Sequence, residues 1–412
     1  MRYETFIALR YLRARRKQAL VSVISLVSTL GFMVGVAALI IALALMTGFR
    51  EDIQQRILST SAHLVVQPFA SGGVLEDYRE TLASLEAAEG VVAASPVILD
   101  KGLLLSAASS KGEAVILKAV LPEREARVTS LSESMEEGFS LKALEGGGSS
   151  PGIVLGHELA LSLGVVAGDR VRLVSPNVTL SPMGVVPRTH SFEVVGTFRS
   201  GFYIYDTSWA YVHFETGQAL WGQGDAAQMI EARVVRPERV EEVQERLAGA
   251  LEPFHTLTNW KEMNRPLFSA FKVEKLLMFF AIGLIVVVAS FNIITTLVLM
   301  VMEKHRDIGI LKAMGARPQS ISRIFTSQGF SVGALGTALG VALGVGLCYV
   351  LHAYKLIPLS PEVYFIPYVP FHVKALDVVV VALAALGVSL LATVYPAHQA
   401  ARLEVTEALK HE

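Results

Sequence analysis

Cysteine is almost missing: Cys348 is the only one in 412 residues. A lone thiol closes no internal disulfide and builds no thiolate metal cluster, which excludes a disulfide scaffold and a zinc finger. Charge is also sparse. Charged residues make up 18% of the chain against 52% hydrophobic ones, and mean hydropathy is +0.49, whereas an average globular chain is about 25% charged. That balance argues against a purely soluble enzyme. Chemical motifs are scarce as well. There is no G-x-x-x-x-G-K-[ST] phosphate loop and no Gly-Lys pair, so the chain does not bind ATP in the P-loop manner. No H-E-x-x-H occurs, and His157-Glu158 lacks the second histidine of a metal-binding helix face, so it reads as ordinary surface. The expectation is a chain with no catalytic residue, no metal and no cofactor of its own.

Long apolar sequence is what the chain has in abundance. Four runs, Leu20 to Met46, Leu276 to Met302, Gly329 to Leu351 and Leu376 to Tyr395, reach the roughly 20 residues that cross about 30 Å of hydrocarbon as a helix. The first is longer than the roughly 7 to 15 residues of a signal-peptide core and is read as a retained span. Basic residues set the orientation. Arg2, Arg10, Arg13, Arg15, Arg16 and Lys17 precede the first span, and Lys304, Arg306, Lys312, Arg317 and Arg323 follow the second. The loop between the third and fourth has only Lys355 and Lys374, together with Pro358, Pro361, Pro367 and Pro370. Residues 1–19, 303–328 and 396–412 are therefore expected in the cytoplasm, and 47–275 and 352–375 outside it.

Inside the spans, Asp377 sits at an end and His352 just past one, so no proton relay is expected. Ser290, Asn292, Thr295 and Thr296 suit either hydrogen bonding between helices or a substrate site. Gly329, Gly333, Gly336, Gly340 and Gly344 form a stripe in the third span, echoed by Gly31 and Gly35 in the first. Such a stripe admits close approach of another helix, from the same chain or from a second one.

Cutting the chain at these runs exposes a charge split. Residues 47–275 carry 29 acidic and 21 basic residues, a net of −8, and the remainder 15 basic and 8 acidic, a net of +7. An acidic domain without a basic stripe excludes nucleic acid as a partner. Two segments of it read as strand, helix, strand. One is His63 to Gln67, Leu75 to Ala88 and Val91 to Leu99; the other is Glu231 to Val235, a helix opened by Pro237, and Phe254 to Leu257. Between them an insert from about Lys101 to Met229 holds short β-prone runs and a turn at Gly146 to Pro151. The fold class is therefore an α-helical membrane protein with four transmembrane helices and a large α+β domain between the first and second.

Two further segments suggest partners. Ser175 to Arg188 places Pro176, Pro182 and Pro187 around Met183, Val185 and Val186. The prolines forbid an uninterrupted ladder, and the apolar side chains suit a projecting partner site or a loop folded back on the domain. Between the second and third spans, Ile308, Leu311 and Met314 are placed on one helical face, with Gly315 as the stop before Pro318. That short helix suits docking into a groove of a soluble partner or lying on lipid. Thr47 to Ser59 and Asn259 to Lys275 carry helical spacing straight into the spans as stalks.

The opening FIALRYLRARRKQALVSVISLVSTLGFMVGVAALIIALALMTGFR, the EKHRDIGILKAMGA segment, TNWKEMNRPLFSAFKVEKLLMFF and the closing YPAHQAARLEVTEALKHE resemble the permease subunits of the lipoprotein-releasing ABC transporter, the LolC/LolE family. That family lies within the MacB-like and FtsX-like permeases, and the resemblance covers essentially the whole chain. It implies the MacB-like permease fold in the bacterial inner membrane, with the large domain in the periplasm. It also implies a LolD-like ATPase dimer that binds ATP and Mg, and a second permease that is a LolE-like paralogue or another copy of this chain. A triacylated lipoprotein would be taken from the outer leaflet, among membrane lipids, and passed to the periplasmic chaperone LolA.

Three residue sets carry over with the resemblance. Pro176, Thr179, Leu180, Ser181, Pro182, Met183, Gly184, Val185, Val186 and Pro187 would form the chaperone-binding hook, closer to the LolC type than to the LolE type. Glu303, Lys304, Arg306, Asp307, Ile308, Gly309, Leu311, Lys312, Met314 and Gly315 would form the ATPase-coupling helix. Met46, Phe49, Leu267, Phe268 and Phe271 would wall the lipoprotein cavity. Two other functions remain within the superfamily: a mechanotransmission permease that activates a periplasmic partner, and a MacB-like exporter of amphipathic substrates.

Overall fold

The computed structural model describes residues 19–69, 73–106, 111–146, 150–181, 184–222, 224–249, 251, 255–360 and 366–402; the side chains of 19–22, 24, 176–187 and 286 are not among what is described. The basic segment before Ala19, the tail after Arg402, Pro182, Met183 and Pro361 lie outside the described residues. The chain forms two compact units: Met1–Glu51 with Ala270–Pro358 and Tyr368–Glu412, and Asp52–Ser269 with Leu359–Pro367.

The apolar runs lie in α1 (Ala19–Thr60), α2 (Arg265–Glu303), α4 (Pro318–Ala353) and α5 (Ala375–Arg402), with the short α3 (His305–Ala313) between α2 and α4. Each of the four long helices has the length and composition to cross a membrane. Two of them outrun their apolar cores: α1 continues to Thr60, so the first expected stalk is one helix with its span, whereas the second, expected from Asn259, is a short helix at Trp260–Met263 that turns at Asn264 before α2 begins at Arg265. Gly315 takes φ +93° after α3, a conformation that favours glycine, and Pro318 then opens α4 at a position where its missing N–H costs nothing.

Within this unit, Phe32, Val36, Leu39 and Ile40 of α1 pack with Ile293 and Leu297 of α2 and Val381 and Ala392 of α5. The glycine stripe of α4 faces its own chain. A Cβ on Gly329 would come 2.7 Å from Thr393 Oγ1, and one on Gly333 would overlap the Ser389 side chain, both on α5. A Cβ on Gly340 would come 2.7 Å from the Met33 carbonyl oxygen on α1. Packing within the chain thus accounts for the stripe. Thr296 does act as helix glue: its hydroxyl pairs with that of Ser28 across α1 and α2, and it donates to the Asn292 carbonyl at 2.8 Å.

The other unit is α+β. Its strands are β1 (Leu64–Pro68), β2 (Val91–Ser106), β3 (Glu113–Val120), β4 (Gly152–Gly156), β5 (Arg170–Ser181), β6 (Gly184–Phe198), β7 (Trp209–His213), β8 (Met229–Val234) and β9 (His255–Asn259). The two strand-helix-strand segments interleave as β2-β8-β1-β9, all antiparallel, so each segment's parallel strands are split by a strand of the other. The insert closes on itself. β2 pairs with β3 and β5, β5 with β6, β6 with β4, β4 with β7 and β7 with β3, which makes a six-strand ring; closure leaves no free edge in it.

One sequence expectation needs correction here. The sequence ends a strand at Leu99 and starts the insert at about Lys101, whereas β2 is a single strand shared by both sheets. It stays continuous because Asp100 to Gly102 keep register with Leu117 to Val115 of β3. Gly102 also makes room for β5, since a Cβ there would meet the Leu173 side chain at 2.6 Å.

Candidate functional site

The proline-flanked segment forms a hairpin. β5 and β6 pair Val178 with Pro187, Thr179 with Val186, Leu180 with Val185 and Ser181 with Gly184. The ladder breaks between Val174 and Val178, around Pro176, which has no N–H to give. Below the break, β5 also pairs with β2 and β6 with β4. Above it, among the described residues, the two strands pair only with each other. A two-stranded ribbon therefore runs on past the sheet, with main-chain positions that no third strand covers. Of the ten predicted hook residues, Pro182 and Met183 at the tip lie outside the described residues.

The short helix after α2 gives a correction. Glu303 is the last residue of α2, and the helix proper starts at His305 after Lys304. Ile308 is buried and Leu311 packs beside it, against Val301, Ile321, Phe325, Ala397 and Ala400. Met314, expected on that same face, is 81% exposed. The reason is geometric: at about 100° per residue a spacing of three drifts by roughly 60° per step, which puts position 314 far from 308. The exposed stripe is instead Arg306, Ile310 and Met314, at a spacing of four. Ile310 was missed, and a strict four-residue count from Met314 finds it. Lys304 is buried and pairs with Asp307 at 3.3 Å, and Lys312 Nζ donates to the Ala401 carbonyl at 2.7 Å. Those cations hold the helix in place, Gly309 is buried, and Gly315 is exposed.

The five predicted cavity residues are divided between the two units. Met46 and Phe49 are half-buried on α1, and Phe271 of α2 is buried with the Arg50 guanidinium 5.5 Å over its ring. Leu267 and Phe268 belong to the other unit, where Phe268 meets Trp260 edge-on at 5.3 Å. Within the helical unit, an apolar groove of about 270 Å³ lies between α1, α2 and α5, lined by Phe32, Leu39, Ile285, Ala289, Val381 and Ala385 among others. Its lining residues are all apolar except Asp377. No single stretch of sequence signals it, because three distant helices build it.

No cluster of three or more metal-ligating side chains exists among the described residues. His157 Nδ1 pairs with Glu136 Oε1 at 2.8 Å. One string, Gly148 to Gly152, does have the spacing of a nucleophile elbow, which needs a strand before and a helix after its serine. Here Gly152 opens strand β4 instead.

Residues 25–250 match the MacB-like periplasmic core domain and residues 279–405 the FtsX-like permease C-terminal family. The lipoprotein-releasing system transmembrane protein LolC of Xylella fastidiosa strain Temecula1 is 34% identical, with 98% of each chain covered. The protein named LolE from Haemophilus influenzae is 29% identical, again with 98% of each covered. Among solved structures, the periplasmic region of MacB from Actinobacillus actinomycetemcomitans matches with a TM-score of 0.34 and 14% identity, covering 52% of this chain and 94% of that one.

Proposed function

Because the chain belongs to the family of lipoprotein-releasing transmembrane proteins LolC and LolE, we propose a division of labour among its hairpin, its short helix and its spans. It is a permease subunit of a lipoprotein-releasing ABC system, a membrane protein with a periplasmic domain. It works beside ATPase and permease partners rather than as an enzyme.

In the finer reading, four spans cross the bacterial inner membrane with both termini in the cytoplasm. A LolD-like dimer docks on the Arg306, Ile310 and Met314 stripe, binds ATP and Mg, and drives the spans. A second permease, LolE-like or a second copy, completes the pair. A triacylated lipoprotein leaves the outer leaflet between them, and LolA receives it at the hairpin. Each buried CH₂ holds roughly 0.8 kcal/mol in the bilayer, so lifting three acyl chains requires the ATPase.

The ribbon from Val178 to Pro187, paired only with itself among the described residues, carries this reading. An uncovered pair of strands offers main-chain donors and acceptors to an incoming protein. The test replaces Thr179 to Val186 with Gly-Gly in the assembled complex. LolA binding should disappear and lipoprotein should accumulate in the inner membrane, while the ATPase stays bound. Undiminished LolA capture by the deleted form would overturn the hook.

A further inference from the structure

The groove between α1, α2 and α5 has a polar end. Asp377 lines it in the first turn of α5, and no described residue is hydrogen-bonded or ion-paired to its carboxylate. A small cleft that shares Leu43, Asp377 and Val381 with the groove adds Lys374. Lys374 Nζ is 2.7 Å from Glu51 Oε1, and His372 Nδ1 is 2.9 Å from Glu51 Oε2. His352 stands against His372, with ring centroids 5.3 Å apart. The mouth thus holds two carboxylates, Glu51 and Asp377, and one lysine ammonium, and the carboxylate that faces the trough is the unpaired Asp377. Small residues, Gly35, Ala289, Ala384 and Ala385, keep the trough beneath it open; a Cβ on Gly35 would meet nothing closer than 4.0 Å.

We propose that this groove is a binding site for a phospholipid with an ethanolamine headgroup. One acyl chain lies along the apolar trough, the headgroup ammonium pairs with Asp377, and the phosphate reaches toward Lys374. The proposal rests on the reading above that these helices span a bilayer, which makes an acyl chain the solvent the trough meets. Charge selects the headgroup. The surplus carboxylate at the mouth attracts an ammonium and repels a lipid of net negative charge. The cargo is a poorer fit at the mouth, since an N-acylated lipoprotein terminus presents an amide where this lipid presents an ammonium and a phosphate. Asp377 also lies in a helix first turn, where a carboxylate is favourable in its own right; that role gives no preference between lipids.

The full-length chain, purified in detergent, would be incubated with equal amounts of phosphatidylethanolamine and phosphatidylglycerol, and retained lipid read by native mass spectrometry. The wild type should keep phosphatidylethanolamine over phosphatidylglycerol by roughly fivefold, the upper end for one partly exposed charge pair. Asp377→Asn should bring that ratio near one without loss of fold, and Ala385→Phe should lower retention of both lipids by filling the trough. Equal retention by the wild type, or an unchanged ratio in Asp377→Asn, overturns the proposal. Displacement of the bound lipid by a purified lipoprotein would assign the trough to cargo instead. Because the readout is lipid retention, the failure of lipoprotein release in any variant is scored separately.

Discussion

Lys118 of β3 places its Nζ 2.8 Å from Oε2 of Glu231 on β8, which ties the closed ring of the insert to the interleaved sheet beneath it. Glu125, in the helix after β3, approaches the same ammonium at 2.7 Å and takes a 2.9 Å bond from the Thr129 hydroxyl. Nearly all of this group is out of water, with side-chain exposures of 3% for Lys118, 0% for Glu125 and 12% for Glu231. Burial alone would discharge Lys118, but the two carboxylates outweigh it and hold the ammonium above its ordinary range. Burial pushes Glu231 up despite Lys118, as expected where two carboxyls share one cation.

Removing the shared cation should therefore be severe. Lys118→Met leaves two uncompensated buried carboxyls and should cost about 3–5 kcal/mol. Replacing all three at once, with Lys118→Met, Glu125→Leu and Glu231→Leu, should recover most of that loss, because a buried ionic group exchanged for apolar side chains is often neutral. Trp209, Trp221 and Trp260 are the only tryptophans and all lie in this unit. Denaturation of the full chain followed by tryptophan fluorescence thus reports it alone. A single variant as stable as the wild type would contradict the assignment.

The face of α3 makes a sharper distinction. Ile310→Asp and Met314→Asp change exposed positions, 45% and 81% accessible, so they should abolish co-purification of the ATPase while the chain inserts and folds normally. Ile308→Asp puts a charge into a buried position and should lower the yield of folded protein outright. If Met314→Asp assembles as well as the wild type, the stripe is not the docking face.

Much of this architecture is legible in the sequence, and most of the misses share a cause. The spans, the first stalk and both strand-helix-strand segments follow from periods of 3.6 and 2 that need no knowledge of distant residues. The hairpin is signalled by Pro176 and Pro187 around a β-prone run. What stays hidden depends on pairing across the chain: β8 lying between β1 and β2, the ring closed by β2 and β3, and the groove assembled from α1, α2 and α5. Met314 failed for a local reason, a three-residue spacing taken for a face. The glycine stripe was visible as a close-approach surface, but its occupants, Ser389 and Thr393 on one side and Met33 on the other, were not.

That close approach predicts a specific rescue. Gly333→Val forces side-chain atoms into the space of Ser389 and should destabilise the helical unit by about 1–3 kcal/mol, the usual cost of overpacking. Adding Ser389→Gly should return part of it. Thermal unfolding of the full chain in detergent would show the pair to be coupled; additive effects would mean that α4 and α5 do not meet here.

Glu136 supplies a pH test outside the spans. Burial opposes its ionisation, but hydrogen bonds from Thr197 and His157, together with the charges of His157 and Arg199, outweigh that and hold its carboxyl below the ordinary value. A depressed acid stabilises the folded state when ionised. The contribution is therefore fully present above the unfolded value of 4.5 and is lost as pH falls through the lower folded value. Glu136 adds side-chain bonds among three segments: its backbone N–H donates to the Thr197 carbonyl at 3.1 Å, and its side chain reaches Thr197 on β6 and His157 after β4. Protection of the amides around Thr197 and His157, taken as exchange relative to the unstructured rate at each pH, should fall below pH 4.5 in the wild type. In Glu136→Gln exchange should already be faster at neutral pH and should show no such acid step. An identical acid step in that variant would assign the transition to another carboxylate.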